Sequence, residues 1–222
     1  MISWEELDRT TTPEGTDLTL NRRGHEWRIL ANGLDLMSSA LHGSEEALAT
    51  HGLVRAKALE NPCVLVGGLG MGFTLRATLD ELPASAVVVV AELLEAVVAW
   101  NRGPLASLAK KPLDDRRVKV ALGDVTKTLR ESPARFDAIL LDVDNGPRAF
   151  SQDSNAGLYD NAGLEIVRRA LKPAGILAVW SAWEDRKFVH RLRHLGFDAE
   201  SIDVRARLKK GGRRHVIFLG RT

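Results

Sequence analysis

Short apolar runs alternate with helix-like stretches from residue 63 onward, and this alternation limits the fold more than any other feature of the sequence. The runs are apolar throughout rather than at every second residue, which is typical of parallel strands covered by helices on both faces. The predicted strands cover residues 64–66, 86–91, 118–122, 138–141, 176–180, 199–206 and 215–219. The last two flank Gly211-Gly212 and are expected to form an antiparallel hairpin. The sequence therefore predicts an α/β fold with a seven-stranded, mostly parallel sheet that ends in an antiparallel hairpin.

The chain before this alternation has a different pattern. Residues 17–38 contain short alternating runs, and Asn32-Gly33 within them is a strong signal for a tight hairpin turn. We therefore predict a small N-terminal β appendage within residues 1–60 and a main domain over residues 61–222.

A helix is predicted between the β appendage and the main domain. Ser44 has the position of an N-cap, since Ser side chains accept hydrogen bonds from the first free N–H groups of a helix. The predicted helix runs to about Leu59 and stops before Asn61-Pro62, because a residue that precedes proline disfavours helical geometry.

Composition places the protein among ordinary globular proteins. Its 222 residues are 45% hydrophobic and carry a formal net charge of +2, which is too small to indicate nucleic-acid binding by itself. Cys63 is the only cysteine, which excludes an intrachain disulfide and a cysteine-based metal site. The N-terminal residues lack the pattern of a signal peptide, and no apolar run is long enough to cross a bilayer, so we expect a cytoplasmic protein.

A glycine-rich turn follows the first strand of the main domain, in the stretch VLVGGLGMGF at residues 64–73. Glycines allow a tight strand-to-helix bend and a close approach of a ligand to the backbone. The Lys and Ser/Thr that a phosphate-binding P-loop requires do not follow. Gly68, Gly70 and Gly72 are therefore candidates for contact with a ligand other than a triphosphate.

Acidic residues follow the next three strands, at the sheet edge where ligands of open α/β sheets bind. Glu92 comes twenty residues after Gly72, the spacing at which a carboxylate accepts hydrogen bonds from ribose hydroxyls. Gly123 and Asp124 follow the third strand, although Asp124 also precedes a helix that it could cap. The fourth strand is followed by Asp142, Asp144 and Asn145. Together with the glycines, these positions predict a nucleoside site.

The stretches VLVGGLGMG, VVVVAELLEAVVAWN, RVKVALGDVTKTL, FDAILLDVDNGP and ALKPAGILAVWS resemble, in order, the nucleoside-binding motifs of class I S-adenosylmethionine-dependent methyltransferases. More closely, the chain resembles the spermidine synthase family of aminopropyltransferases over roughly residues 15–220. The resemblance implies a Rossmann-like fold and S-adenosylmethionine, or its decarboxylated form, as co-substrate. It also implies that the three glycines pack against the adenosyl sulfonium, that Glu92 binds the ribose, and that Asp124 binds the adenine amino group beside Gly123.

The same resemblance implies that the acceptor substrate is a small amine and that Asp142 is the catalytic base. The family has a second aspartate three residues later, where this chain has Asn145, and Asp144 is an additional acid. Tyr159 resembles the aromatic beside the family's substrate tunnel, and Trp180 stands where the family usually has a glutamine. The family's Tyr-His pair is missing from SEEALATHG at residues 44–52. Asp144, Asn145, Tyr159 and Trp180 are therefore the candidate acceptor-binding residues, and the identity of the amine stays open.

Three other interpretations stay open at this point. A small-molecule methyltransferase could use Asp142, Asp144 and Asn145 as oxygen ligands for Mg²⁺, although our interpretation includes no metal. In a second interpretation, the protein binds a nucleoside but catalyses no reaction. The basic tail over residues 205–214 could bind nucleic acid, but we expect a solvated hairpin, because it lacks interleaved aromatic residues for base stacking. The six histidines are scattered, and the family suggests a homodimer.

Overall fold

The computed structural model describes residues 2–143, 146–147, 156–206 and 213–222. An N-terminal antiparallel sheet has four strands in chain order, namely β1 (Glu5–Thr11), β2 (Asp17–Arg23), β3 (Glu26–Ala31) and β4 (Leu34–Ser38). The predicted β appendage is therefore present, and it includes a first strand that the sequence did not indicate. The residues of β1 are almost all exposed and polar, so they lack the apolar alternation by which a strand is predicted.

The second sheet has seven strands in the order β10-β11-β9-β8-β5-β6-β7. Its strands are β5 (Cys63–Gly67), β6 (Val87–Glu92), β7 (Val118–Leu122), β8 (Phe136–Leu141), β9 (Leu171–Ser181), β10 (Asp198–Arg205) and β11 (Arg214–Arg221). The five strands β5 to β9 run parallel, and β11 pairs antiparallel with both β9 and β10. This arrangement confirms the predicted Rossmann-like α/β fold.

Helices cover both faces of the seven-stranded sheet. They are α1 (Gly43–Gly52), α2 (Phe73–Glu81), α3 (Glu95–Arg102), α4 (Val125–Arg130), α5 (Ala156–Tyr159), α6 (Asn161–Ala170) and α7 (Arg186–His194), with 3₁₀ turns at Ala56–Ala58 and Pro112–Asp114. On one face, Leu48, Leu75 and Trp100 join a buried cluster, and on the other Leu129 and Phe188 join a second cluster. The continuous apolar strands thus bury side chains on both faces, as the sequence pattern predicts.

The helix predicted to start at the cap Ser44 and to run to Leu59 differs in the structure. The helix α1 ends at Gly52, and a separate 3₁₀ turn follows. The N-cap position is His42, whose side chain makes no capping hydrogen bond. Ser44 lies inside the helix, is fully buried, and uses its hydroxyl for side-chain contacts. The cap prediction is therefore wrong, because tertiary contacts recruit the serine hydroxyl.

Two contacts hold the N-terminal sheet against the seven-stranded sheet near the glycine turn. The indole N–H of Trp100 in α3 donates to Asp8 Oδ2 in β1 at 2.6 Å, and this hydrogen bond lowers the pKa of Asp8. Met37 of β4 lies over the turn, where a Cβ built on Gly70 would be 2.6 Å from its Cε. Leu20 belongs to the same buried cluster as the strands of the main sheet. A division of the chain at residue 60 stays a prediction.

Within the part of the chain that the structure describes, no helix combines the length and the apolar character that a bilayer span requires.

Candidate active site

The glycine turn joins β5 to α2 at the point where the strand order reverses between β5 and β8. Gly68, Gly70 and Gly72 all have positive φ, at 87°, 50° and 85°. A Cβ on Gly68 would overlap the carbonyl oxygen of Asp142, so only glycine lets the turn pass the end of β8. The turn therefore brings the predicted nucleoside-binding backbone directly beside the predicted base.

Asn101 of α3 holds the glycine turn by a side-chain hydrogen bond, a role that sequence reasoning missed. Its side-chain amide donates to the carbonyl oxygen of Gly70 at 2.8 Å and to that of Val97 at 2.9 Å. The side chain is buried, with 2% of the residue exposed. The sequence signal is a polar residue four positions after Val97, on the apolar face of a predicted helix, because an amide buried there requires partners.

Glu92 lies at the end of β6 and is buried. Its Oε2 accepts from the N–H of Leu69 in the glycine turn, and its Oε1 accepts from the N–H of Leu94, both at 2.9 Å. Burial raises the pKa of Glu92, although these backbone N–H groups oppose the shift. The carboxylate thus fixes the glycine turn to the loop that follows β6, and contact with a ribose stays a prediction.

Gly123 and Asp124 follow β7 at the same sheet edge. A Cβ on Gly123 would have no neighbour within 4 Å, so the space beside this glycine is open. Asp124 is exposed, and its Oδ1 accepts from the N–H of Thr126 at 2.6 Å, which makes it the N-cap of α4. The capping role that the sequence allowed is therefore present, and contact with an adenine stays a prediction.

A small cavity lies between the glycine turn, α1, α2 and β4, with a volume of about 10 Å³, room for roughly one water-sized group. It is lined by Met37, Ser38, Glu45, Leu69, Met71, Phe73, Thr74 and Asp142. Two of these residues, Glu45 and Asp142, are acids, so we call this cavity the acidic pocket. The sequence did not predict Glu45 as a site residue.

Both acids of the acidic pocket are held in unfavourable surroundings for a negative charge. Burial raises the pKa of Asp142 to about 6, against the opposing hydrogen bond from the Thr74 hydroxyl to its Oδ2 at 2.5 Å. Burial and the nearby charge of Asp142 raise the pKa of Glu45 to about 8. A nearby positive charge stabilises the ionised form of both carboxyl groups. The acidic pocket is therefore suited to a cation.

Glu45 continues into a chain of polar side chains that leads away from the acidic pocket. Its Oε2 lies 2.7 Å from the hydroxyl oxygen of Ser44, and this oxygen lies 2.9 Å from Nδ1 of His215 in β11. The ring of Trp180, at the end of β9, packs edge-on against His215 with 4.7 Å between ring centres. The predicted site residue Trp180 is therefore connected to the acidic pocket through His215.

Tyr159 lies elsewhere. It is buried in the cluster on the other sheet face, edge-to-face with Phe188 at 5.8 Å between ring centres, and its hydroxyl oxygen is 3.4 Å from the carbonyl oxygen of Val143. Asp144 and Asn145 lie outside the described residues. Among the described residues, no group of three or more His, Cys, Asp or Glu side chains is arranged to hold a metal.

Comparison with known proteins places this arrangement in a family. Residues 41–199, which include the acidic pocket's two carboxyl groups, match the family model of the spermine/spermidine synthase domain. This chain belongs to the spermine/spermidine synthase family.

Curated relatives agree with that assignment over part of their length. The chain is 35% identical over 120 residues to polyamine aminopropyltransferase 1 of Streptomyces coelicolor, which covers 53% of this chain and 22% of that protein. It is 33% identical over 121 residues to a polyamine aminopropyltransferase of Thermoanaerobacter, which covers 53% of this chain and 40% of that protein. The chain therefore matches less than half the length of these relatives.

Solved structures show the same fold at lower identity. Spermidine synthase from Thermotoga maritima has a TM-score of 0.76 and 15% identity, covering 97% of this chain and 72% of that chain. A spermidine synthase in complex with the transition state analogue AdoDATO has a TM-score of 0.75, also at 15% identity, with the same shares covered. These likenesses confirm the two-sheet fold of a spermine/spermidine synthase family member.

Proposed function

We propose that this protein transfers an aminopropyl group from decarboxylated S-adenosylmethionine to a small amine by in-line displacement. The acidic pocket beside the glycine turn carries the proposal, because it joins two carboxyl groups at the carboxyl edge of a nucleoside-binding fold. Membership of the spermine/spermidine synthase family supports the same reaction.

The charge of the acidic pocket favours the decarboxylated donor. Decarboxylated S-adenosylmethionine ends in a bare ammonium group, whereas S-adenosylmethionine carries a carboxylate beside its amine. The carboxylate of Asp142 repels a further carboxylate, and an ammonium group offsets the penalty of ionising both Asp142 and Glu45 in a buried site. The same carboxyl groups also suit the ammonium group of an acceptor amine.

Asp142 can supply the base that the reaction needs. An acceptor amine is protonated near neutral pH and has no lone pair for attack until it loses a proton. With a pKa of about 6, the Asp142 carboxylate is mostly ionised at pH 7 and can take that proton. The nitrogen then forms a bond to the aminopropyl carbon as the carbon–sulfur bond breaks, and the sulfur leaves as a neutral thioether.

The remaining residues of the site divide between donor and acceptor. We propose that Gly68, Gly70 and Gly72 contact the adenosyl sulfonium, that Glu92 binds the ribose, and that Gly123 and Asp124 receive the adenine. Asp144, Asn145, Tyr159 and Trp180 remain the candidates for the acceptor side.

Met37 controls how much of the donor the site admits. Its thioether lies against Gly70, and the acidic pocket below it holds only a water-sized group. A flexible, unbranched side chain can move aside at low cost, so we propose that Met37 shifts when the donor binds.

Calorimetric titration with the two donors tests the proposal. We expect decarboxylated S-adenosylmethionine to bind at least tenfold more tightly than S-adenosylmethionine, a difference of about 1.4 kcal/mol. Glu45→Gln removes, at nearly constant shape, the acid that ionises beside a bound ammonium group, so it should narrow that ratio. Glu60→Gln, at an exposed acid outside the acidic pocket, should not. Equal or tighter binding of S-adenosylmethionine would instead indicate a methyltransferase, and binding of neither would indicate a scaffold without a nucleoside site.

A product assay completes the test. Incubation with decarboxylated S-adenosylmethionine and a panel of small amines should give an aminopropylated amine and the thioether nucleoside in equal amounts. Activity in the presence of a metal chelator separates this reaction from a Mg²⁺-dependent methyl transfer. A homodimer and a cytoplasmic location are further predictions that the family suggests, and we expect no role for nucleic acid.

A further inference from the structure

The side chains of Glu45, Ser44 and His215 form a hydrogen-bonded chain, of which the reaction described above uses only Glu45. Glu45 and Ser44 lie in the first turn of α1, and His215 lies in β11, 171 residues away from Ser44 along the sequence. The helix α1 packs on β8, β9, β10 and β11, and the N–H of Gly43 donates to the carbonyl oxygen of Ala206 at 2.9 Å. The contact between Ser44 and His215 is thus fixed by the main fold.

The chain runs from an enclosed group to a more accessible one. Glu45 faces the acidic pocket and is more closely surrounded by protein than His215, and Ser44 between them is fully buried. A serine hydroxyl has one proton, so it donates either to Glu45 or to His215, but not to both. An ionised Glu45 attracts the serine proton and so favours a proton on Nδ1 of a neutral His215, whereas a protonated Glu45 leaves the serine proton free to point at Nδ1.

We propose that Ser44 and His215 form a proton relay that sets the protonation state of Glu45 in the acidic pocket. The proposal deepens the proposed function, since it rests on that function for the identity of the cation that Glu45 meets. Ser44 and His215 act through Glu45, so they are positioning residues rather than catalytic ones.

The relay has two proton arrangements that balance. When Glu45 is protonated, it donates to Ser44, Ser44 donates to Nδ1 of His215, and the imidazole carries its proton on Nε2. When Glu45 is ionised, Ser44 donates to the carboxylate and accepts from Nδ1–H of His215. The change moves the Glu45 proton to Ser44 and the Ser44 proton to Nδ1, and the Nε2 proton leaves to water. One proton is released in total.

Neighbouring groups hold the relay near the protonated arrangement until a cation binds. Asp142 and Glu46 act on Glu45 as negative charges, and burial raises the pKa of Glu45 to about 8. At the other end, burial and the positive charge of Arg213 lower the pKa of His215, so the ring is neutral near pH 7. Trp180 packs against the ring without a charge. An ammonium group in the acidic pocket favours the ionised Glu45 and therefore drives the proton out through His215.

The tautomer of His215 tests the relay without any donor or acceptor. Nitrogen-15 NMR of histidine-labelled protein distinguishes Nδ1–H from Nε2–H, and the His215 signals are assigned by their loss in His215→Asn. Between about pH 7 and about pH 9 we expect the proton of neutral His215 to move from Nε2 to Nδ1, as Glu45 ionises. A single tautomer across this range would overturn the proposal.

Variants separate the relay from a merely structural contact. Glu45→Gln removes the titrating group, and Ser44→Ala removes the link, so each should abolish the tautomer change while thermal unfolding verifies the fold. Glu46→Gln is the matched control, because Glu46 contacts His42 rather than Ser44. It should preserve the tautomer change and move its midpoint to lower pH, since the charge of Glu46 raises the pKa of Glu45. A tautomer change that persists in Glu45→Gln would contradict the relay.

The outcome for the relay is independent of the outcome for the proposed function. If the tautomer changes as expected but neither donor binds, the relay stands and the aminopropyl reaction fails. If the donors bind and react but His215 keeps one tautomer in both wild type and Glu45→Gln, the relay fails and the reaction stands.

Discussion

At the scale of single residues, Asp142 is the group on which the proposed chemistry depends. Its carboxyl group lines the acidic pocket and accepts from the Thr74 hydroxyl at 2.5 Å. Asp142→Asn keeps the shape and removes the base, so we expect turnover to fall by about 10²–10⁴-fold while donor affinity changes far less. Steady-state kinetics and donor titration measure the two effects.

Asp198→Asn is the control for this variant, because Asp198 is exposed at the start of β10 and its ion pair with Arg221 is long, at 3.6 Å. Asp198→Asn should leave both turnover and donor affinity unchanged. Turnover within a few-fold of wild type in Asp142→Asn would remove Asp142 from the role of base.

Gly68 offers a second prediction at the same scale. Its φ of 87° is disfavoured for any other residue, and a Cβ would also overlap the carbonyl oxygen of Asp142. Gly15 has the same φ of 87° with nothing within 4 Å of such a Cβ. Gly15→Ala should therefore cost only the backbone strain, about 1–2 kcal/mol, and Gly68→Ala should cost more.

Urea denaturation of the two glycine variants measures that difference as a change in the free energy of unfolding. Equal losses would mean that the turn moves away from Asp142 without penalty. The close approach of turn and strand end would then not constrain the site.

At the scale of secondary structure, an ion pair fastens the loop before β7 to the end of α2. Arg117 donates from Nη2 to Asp115 Oδ2 at 2.7 Å and from Nη1 to the carbonyl oxygen of Leu82 at 2.8 Å. The hydrogen bonds from Arg117 lower the pKa of Asp115 to about 2. Because the folded-state pKa is depressed, this stabilisation is complete above the ordinary pKa and is lost as the pH falls toward 2.

Asp115→Asn should accordingly lower the free energy of unfolding by about 1–3 kcal/mol at pH 7, between the values for exposed and buried pairs. The difference from wild type should shrink as urea denaturation is repeated from pH 7 down to about pH 3. Asp114→Asn, at the exposed neighbouring acid, serves as control. A difference that does not depend on pH would show that the loss comes from packing rather than from charge.

At the scale of the whole molecule, the acidic pocket combines parts of the chain that only the complete fold brings together. Asp142 follows β8, Glu45 lies in α1, and Thr74 lies in α2. We expect kcat/KM to fall on the acid side with an apparent pKa near 6, as Asp142 takes up a proton. This apparent value belongs to the pair of acids rather than to one residue.

Thr74→Val should move this acid limb to higher pH, because the hydroxyl of Thr74 lowers the pKa of Asp142. Thr78→Val, one turn further along α2, removes a hydroxyl that donates to the Thr74 carbonyl oxygen at 2.8 Å, and it should leave the limb in place. A limb that stays in place in Thr74→Val would exclude Asp142 as its source.

Much of this fold can be predicted from the sequence because its main signals are local. Apolar runs mark the central strands, and the glycine turn and Glu92 can be placed at strand ends by counting residues. The strand β1 escapes prediction because its polar residues are exposed, and the early end of α1 escapes because packing decides it.

The acidic pocket is harder to predict. Asp142 is visible at a strand end, but Glu45 reaches it from α1, and His215 reaches Ser44 across 171 residues. Pairings at such separation depend on how α1 lies across the sheet, and no spacing rule encodes that. The structure therefore places a second acid and its polar chain beside the turn that the sequence predicts to bind a nucleoside.

The position of β11 has a consequence for how the protein is made. Because β11 lies between β9 and β10, the ribosome releases two strands whose shared neighbour has not yet been synthesised. Until it arrives, both expose unpaired backbone and the apolar surface that Ile217 and Phe218 later cover. Pairing of β11 with β9 and β10 thus completes the sheet and brings His215 to Ser44 in one step. We expect newly made chains to be prone to aggregation until β11 has paired.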